Sequence, residues 1–151
     1  MIYLQLIGKI TAVLLFVFGA YQILYIPIAL IIRKKAGEAK ETNSYAVLIC
    51  ARNEENVISD LISSIKNQTY NQELIKIFVM ADNCTDGTAA ICRALGAVVY
   101  ERQSTEKVGK GYALEALLEG IAADYPDGFD GYFVFDADNV LDKSYISEMN
   151  K

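Results

Sequence analysis

The chain contains no histidine. That absence excludes histidine-based general acid–base catalysis and any histidine-ligated metal within its 151 residues. Cysteine is scarce: Cys50, Cys84 and Cys92 form no CxxC pair and no even framework. In a reducing compartment they read as small apolar residues. Positive charge is also short. Fourteen Lys and Arg stand against 19 Asp and Glu, for a net charge of -5. Basic residues cluster in one place only, which excludes a nucleic-acid partner. Internal repeats and low-complexity segments are absent.

Charge is missing altogether from one long stretch, Ile10 to Ile32 (ITAVLLFVFGAYQILYIPIALII). As a helix it spans a bilayer core of about 30 Å at about 1.5 Å per residue. A cleaved signal peptide fits poorly, because the apolar run is too long and no small-residue cleavage site follows. Arg33-Lys34-Lys35 follows at once, with Lys40 close behind. Basic residues on that flank favour keeping the rest of the chain in the cytoplasm. Residues 1–35 are therefore expected to form a single-pass cell-membrane anchor, and the small polar residues 36–44 a linker. This stretch accounts for much of the 53% hydrophobic content and the mean hydropathy of +0.22.

Beyond the linker, two periodicities alternate. Tyr45–Cys50, Ile75–Ala81, Ala97–Tyr100 and Tyr132–Phe135 are short apolar runs that predict buried strands. Glu54–Asn67, Thr85–Leu95 and Lys110–Asp124 carry apolar residues at helical spacing. Lys143–Asn150 reads as a last helix capped by Asp142. Four alternations with short connections predict an α/β fold, a parallel sheet with helices on both faces. In such sheets ligands bind at the edge formed by the C-terminal ends of the strands.

That edge collects the polar motifs: ARNEEN (Ala51–Asn56), ADNCTDGT (Ala81–Thr88), ERQSTEKVGKG (Glu101–Gly111) and DADN (Asp136–Asn139). A dinucleotide fold is excluded because ARNEEN has no glycine to admit a pyrophosphate. A phosphate loop is excluded because Gly109-Lys110-Gly111 precedes Tyr112 rather than Ser or Thr. An EF-hand starting at Asp136 fails, since positions five, six and twelve are Val140, Leu141 and Ser147. Asp136 and Asp138, separated by Ala137 on an extended segment, would face one way. Such a pair suits Mg²⁺ or Mn²⁺, or else forms a turn or a helix cap. Asp82 before Asn83 is equally a turn former, and Arg52 with Glu54 equally a surface pair or the beginning of a helix. A solvated Lys110 is the plain alternative for that side chain.

The motifs CARNEE (Cys50–Glu55), IKNQTY (Ile65–Tyr70), ADNCTDGTA (Ala81–Ala89), GAVVYER (Gly96–Arg102), GKGYAL (Gly109–Leu114) and FDADN (Phe135–Asn139) occur in one order. Together they resemble family 2 glycosyltransferases of the GT-A fold, including cellulose-synthase-like and hyaluronan-synthase-like membrane enzymes. The resemblance runs from Tyr45 to Lys151. It implies a nucleotide-sugar donor, UDP-linked, whose nucleoside lies against Cys50, Ala51, Arg52 and Glu54. By the same resemblance Asp82 bonds the base and Lys110 the nucleotide or its diphosphate. Asp136 lies near ribose and metal, and Asp138 is the main ligand of the divalent ion. In that family an acceptor half follows, carrying the catalytic aspartate and often a QxxRW-type motif. Neither is found here, so the base is expected beyond Lys151 and 45–151 is expected to be an incomplete, donor-binding half. The uncovered sheet edge then predicts low stability in isolation. The expected activity is inverting transfer to a carbohydrate or lipid-linked acceptor. The alternative is a non-catalytic or split donor-binding module completed by a partner chain.

Overall fold

The computed structural model describes residues 2–31 and 40–151. Arg33-Lys34-Lys35 and residues 36–39 of the expected linker lie outside them, as does Ile32 at the end of the apolar stretch. The chain divides into two units, Met1–Gly37 and Glu38–Lys151.

The first unit holds α1, Ile2–Ile31, which begins earlier than the uncharged stretch because Lys9 is carried inside the helix. Within it Gln5–Ile28, 24 residues, is long and apolar enough to cross a membrane, by length and composition only. Phe16, Phe18, Ile23 and Ile26 are among its exposed apolar side chains. Pro27 sits inside the helix.

The second unit is an α/β domain. Its strands are β1 (Tyr45–Ala51), β2 (Ile75–Asp82), β3 (Val98–Arg102) and β4 (Gly131–Asp136). They form one sheet in the order β3-β2-β1-β4, and every pairing is parallel. Helices α2 (Ile58–Lys66), α3 (Thr88–Ala94), α4 (Lys110–Asp124) and α5 (Tyr145–Met149) complete it, with a short 3₁₀ turn at Gln72–Leu74.

Strand alternation divides the core. Val47 and Ile49 of β1 and Val79 of β2 pack with Ile58, Leu61, Ile62 and Ile65 of α2 and Cys92 of α3. Ala46, Leu48, Phe78 and Met80 point the other way, onto Ala113, Leu117 and Ile121 of α4. Both faces of β1 are thus covered, which is why YAVLIC is an unbroken apolar run. Helix α2 shows what holds these elements. It is nine residues long, and no side chain caps its start at Val57. Alone such a helix is marginal in water. Its four buried apolar side chains, each worth about 1.5–3 kcal/mol on burial, supply the stability.

Two helices start later than the periodicity predicts. Glu54–Val57 form a turn, because the Glu54 amide donates to Thr88 Oγ1 at 2.9 Å and the Glu55 amide to Asp86 Oδ2 at 3.2 Å. Residues 85–87 are likewise held as loop, with the Thr85 amide on Asn53 Oδ1 and the Gly87 amide on Glu55 Oε2. Asp142 is not the cap of α5. That position falls to Ser144, whose amide and hydroxyl both donate to Asp142 Oδ1, at 2.9 and 2.6 Å. Buried Gln68 fastens α2 to this segment, donating to Asp142 O at 2.7 Å and accepting from the Ile146 amide at 2.9 Å. Among the described residues β3 and β4 each pair on one side only.

Candidate functional site

Strand order reverses about β1: the chain steps outward through β2 and β3, then returns by α4 to β4 on the opposite side. That switch point opens a crevice at the C-terminal ends of the strands. A cavity of about 280 Å³ lies there, lined by Cys50, Ala51, Arg52, Glu54, Asp82, Gly109, Lys110 and Ala113. A larger hollow of about 360 Å³, at Ser44, Lys76, Tyr125 and their neighbours, lies by the opposite ends of the strands, away from every polar motif. Chemistry, not volume, distinguishes the two.

The lining residues are placed by the ends of β1 and β2 and by the start of α4. Cys50 pairs with Met80 on one side and with Asp136 on the other. Its thiol is half-buried, and burial lifts its pKa above the ordinary value. Asp82 ends β2 directly opposite Arg102 of β3. Lys110 opens α4, and its ammonium forms an ion pair with Asp136 at the end of β4.

The loops at this edge are fastened in series. Asn53 and Asn83 follow β1 and β2 with φ of 58° and 54°, a left-handed conformation that asparagine tolerates better than most residues. Asn53 Oδ1 accepts from the Thr85 amide at 2.8 Å, and Asn83 Oδ1 from the Ser104 amide at 2.8 Å. Arg102 then bridges to Asp82 on one side and to the Lys107 carbonyl on the other, each at 2.8 Å. Arg102 and both asparagines were missing from the residues singled out in sequence. Asparagine one or two residues after a strand, in a polar loop, is a detectable signal for this left-handed backbone. The Asp82–Arg102 pairing needs the sheet register.

Gly109 has φ of 132°, which favours glycine, and it precedes α4 with no side chain to cap the helix. The first turn of α4 lines the cavity through Lys110 and Ala113. Unpaired helix-start amides and one lysine make this wall suited to an anion.

The DADN segment departs from the extended geometry expected of it. β4 ends at Asp136, and Ala137–Asp138 form a turn closed by the Asn139 amide on Asp136 O at 3.1 Å. Ala137 is nonetheless buried, while Asp136 and Asp138 are exposed. Asp138 does not line the cavity. Among the described residues no three His, Cys, Asp or Glu side chains converge as a metal cage. Of the two aspartates, only Asp136 is tied to the α4 wall, through its ion pair with Lys110, and an exposed carboxylate there suits Mg²⁺ or Mn²⁺ that takes its other ligands from substrate phosphates and water.

Residues 42–151 match the family described as Glycosyltransferase like family 2. The 4,4'-diaponeurosporenoate glycosyltransferase of Staphylococcus haemolyticus is 39% identical over 83 residues, which are 52% of this chain and 21% of that protein. The chain thus spans about a fifth of that relative's length. A mannosyltransferase from Pyrobaculum calidifontis, solved with GDP-Man and Mn²⁺, superposes with TM-score 0.61 at 23% identity, over 86% of this chain and 39% of its own. Glucosyl-3-phosphoglycerate synthase from Mycobacterium tuberculosis, solved with Mn²⁺, UDP and phosphoglyceric acid, gives TM-score 0.51 at 28% identity, over 66% and 34%. The parallel sheet, its helices and these neighbours are those of the GT-A fold. The chain belongs to glycosyltransferase family 2.

Proposed function

We propose that this chain is the donor-binding part of a membrane-anchored glycosyltransferase that uses a nucleotide sugar, UDP-linked, and transfers the sugar with inversion to a carbohydrate or lipid-linked acceptor. One observation carries it: Cys50, Ala51, Arg52, Glu54, Asp82 and Lys110, from three separate segments, line one cavity at the C-terminal sheet edge. The UDP and Mn²⁺ in the complex of the M. tuberculosis relative support this donor class.

The nucleoside lies against Cys50–Glu54, and Asp82 accepts from the base. The diphosphate meets the first turn of α4, where Lys110 and helix-start amides face it. Sugar transfer builds negative charge on the departing diphosphate and positive charge at the anomeric carbon. Lys110 opposes the first of these directly, without giving up a proton. Asp138, with Asp136, would hold Mg²⁺ or Mn²⁺, which when bound supplies further positive charge for the leaving group. Domain roles follow: residues 1–35 as a single-pass anchor, 36–44 as linker, and 45–151 as the donor-binding domain on the cytoplasmic side.

Calorimetric titration of UDP into the detergent-solubilised chain, with and without Mn²⁺, tests this. Binding should strengthen with Mn²⁺, and Asp138→Asn should remove the metal dependence while leaving the melting temperature unchanged. A folded chain that binds no UDP under either condition overturns the donor site.

A further inference from the structure

Asp82 is buried, yet it lines the cavity. Its Oδ1 accepts from Arg102 Nε at 2.8 Å and, at 3.5 Å, from Asn83 Nδ2, while Arg102 Nη2 stands 2.8 Å away as the ion-pair contact. The side chains of the pair are only 8% and 16% exposed, so this is an ion pair largely removed from water. Among the described residues no donor reaches Oδ2. No side-chain nitrogen or oxygen among them is sealed without a partner either, so Oδ2 keeps access to solvent on a residue that lines the cavity. Arg102 therefore takes one carboxylate oxygen and presents the other.

The same guanidinium has a second attachment. Arg102 Nη2 donates to Lys107 O at 2.8 Å, inside the loop between β3 and α4. That loop is held further by the Ser104 amide on Asn83 Oδ1 at 2.8 Å and the Lys107 amide on Ser104 Oγ at 3.1 Å. It ends at Gly109 and Lys110, which line the cavity. Two walls of the crevice thus share one cation. A planar guanidinium with several fixed donors can make both attachments at once, which a lysine ammonium on a flexible stem does poorly.

We propose that Arg102 is a positioning residue for donor recognition: it aims Asp82 Oδ2 at an N–H donor on the base and fixes the loop that delivers Lys110. This rests on the nucleotide-donor site proposed above. A carboxylate paired with a guanidinium offers acceptors and no proton. It therefore selects a base edge with a donor, as at N3–H of uracil, and gains nothing from an edge where that hydrogen is replaced.

The test compares UDP with its N3-methyl analogue, titrated into the full chain in detergent. The wild type should prefer UDP by about 10- to 100-fold, the range for a hydrogen bond to a charged group. In Arg102→Met the preference should collapse to within about threefold, because Asp82 is no longer aimed. Amides of residues 103–109 should also exchange faster in the ligand-free variant. Should Arg102→Met fail to fold, Arg102→Lys serves, with a preference below that of the wild type. A wild-type preference near one, or an unchanged preference in the variant, overturns the role of Arg102 and leaves the donor site standing. Unchanged amide exchange overturns the loop attachment. A folded wild type that binds neither nucleotide overturns the donor site itself, and base recognition with it.

Discussion

Single side chains at this sheet's edges act mostly as fasteners for backbone, and their carboxylates record it. Asp130 accepts from the amide and hydroxyl of Ser44 at 2.7 and 2.9 Å, and these bonds, the amide's first, hold its carboxyl below the ordinary 3.8. Asp142 and Asp86 are lowered in the same way, chiefly by the hydroxyls of Ser144 and Thr88. A carboxyl with a depressed folded-state pKa adds stability that is fully present above its unfolded value. That stability is lost as pH falls through the lower folded value. Asp130→Asn should therefore lower the melting temperature at pH 6 and show a shallower decline between pH 4 and pH 2 than the wild type. A pH series of thermal melts checks both. Asp130 was not singled out in the sequence, because its partner Ser44 lies 86 residues away. Asp82 and Lys110 were legible there, since each sits inside a motif of distinctive order. Arg102 lies inside GAVVYER, where nothing marks its role, since its partner depends on register.

Among elements, α4 matched its expected bounds, Lys110–Asp124, because Gly109 before it and Pro126 after it mark its limits in sequence as in space. Its packing was less legible. Gly120 faces β3, and a Cβ there would stand 2.9 Å from Cε1 of Tyr100. Tyr100 cannot easily yield, because its hydroxyl donates to Asp124 Oδ2 at 2.6 Å. Burial, reinforced by that bond, also lifts the Tyr100 hydroxyl's pKa well above its ordinary value. Alanine is worth about 1 kcal/mol over glycine inside a helix, whereas overpacking costs about 1–3 kcal/mol. The clash should win. Gly120→Ala is expected to destabilise the domain by up to about 2 kcal/mol in urea unfolding, the overpacking cost less the alanine gain. Combining it with Tyr100→Leu should recover part of the loss. Helices α2 and α3 began later than predicted for a related reason. Apolar spacing locates the buried face of a helix, whereas Asn53, Glu55, Asp86 and Thr88 bond across two loops and hold the first turns open.

At the scale of the whole molecule, the chain joins an apolar helix to a domain whose buried side chains all lie between Tyr45 and Ile146. Removing residues 1–39 should leave that core intact. We expect residues 40–151 to appear in the soluble fraction and to keep UDP affinity, while the full chain sediments with membranes and needs detergent. Fractionation followed by titration checks this, and a soluble full chain would remove the anchor from the proposal. Tyr132 and Val134 remain about half exposed on β4, which among the described residues pairs on one side only, so low protein concentration is advisable for the experiment. By itself the sequence determined the alternation of strand and helix, the parallel sheet, the family and the sheet edge that collects the polar motifs. Those follow from periodicity and local order, which a linear chain carries in full. Only the tertiary structure decided that β1 lies between β2 and β4, that DADN turns at Ala137, and that Arg102 grips Asp82 and Lys107 together. The turn is closed locally, by Asn139 on Asp136, whereas the other two depend on how strands remote in sequence pair, which is set when the two faces of the sheet are buried together.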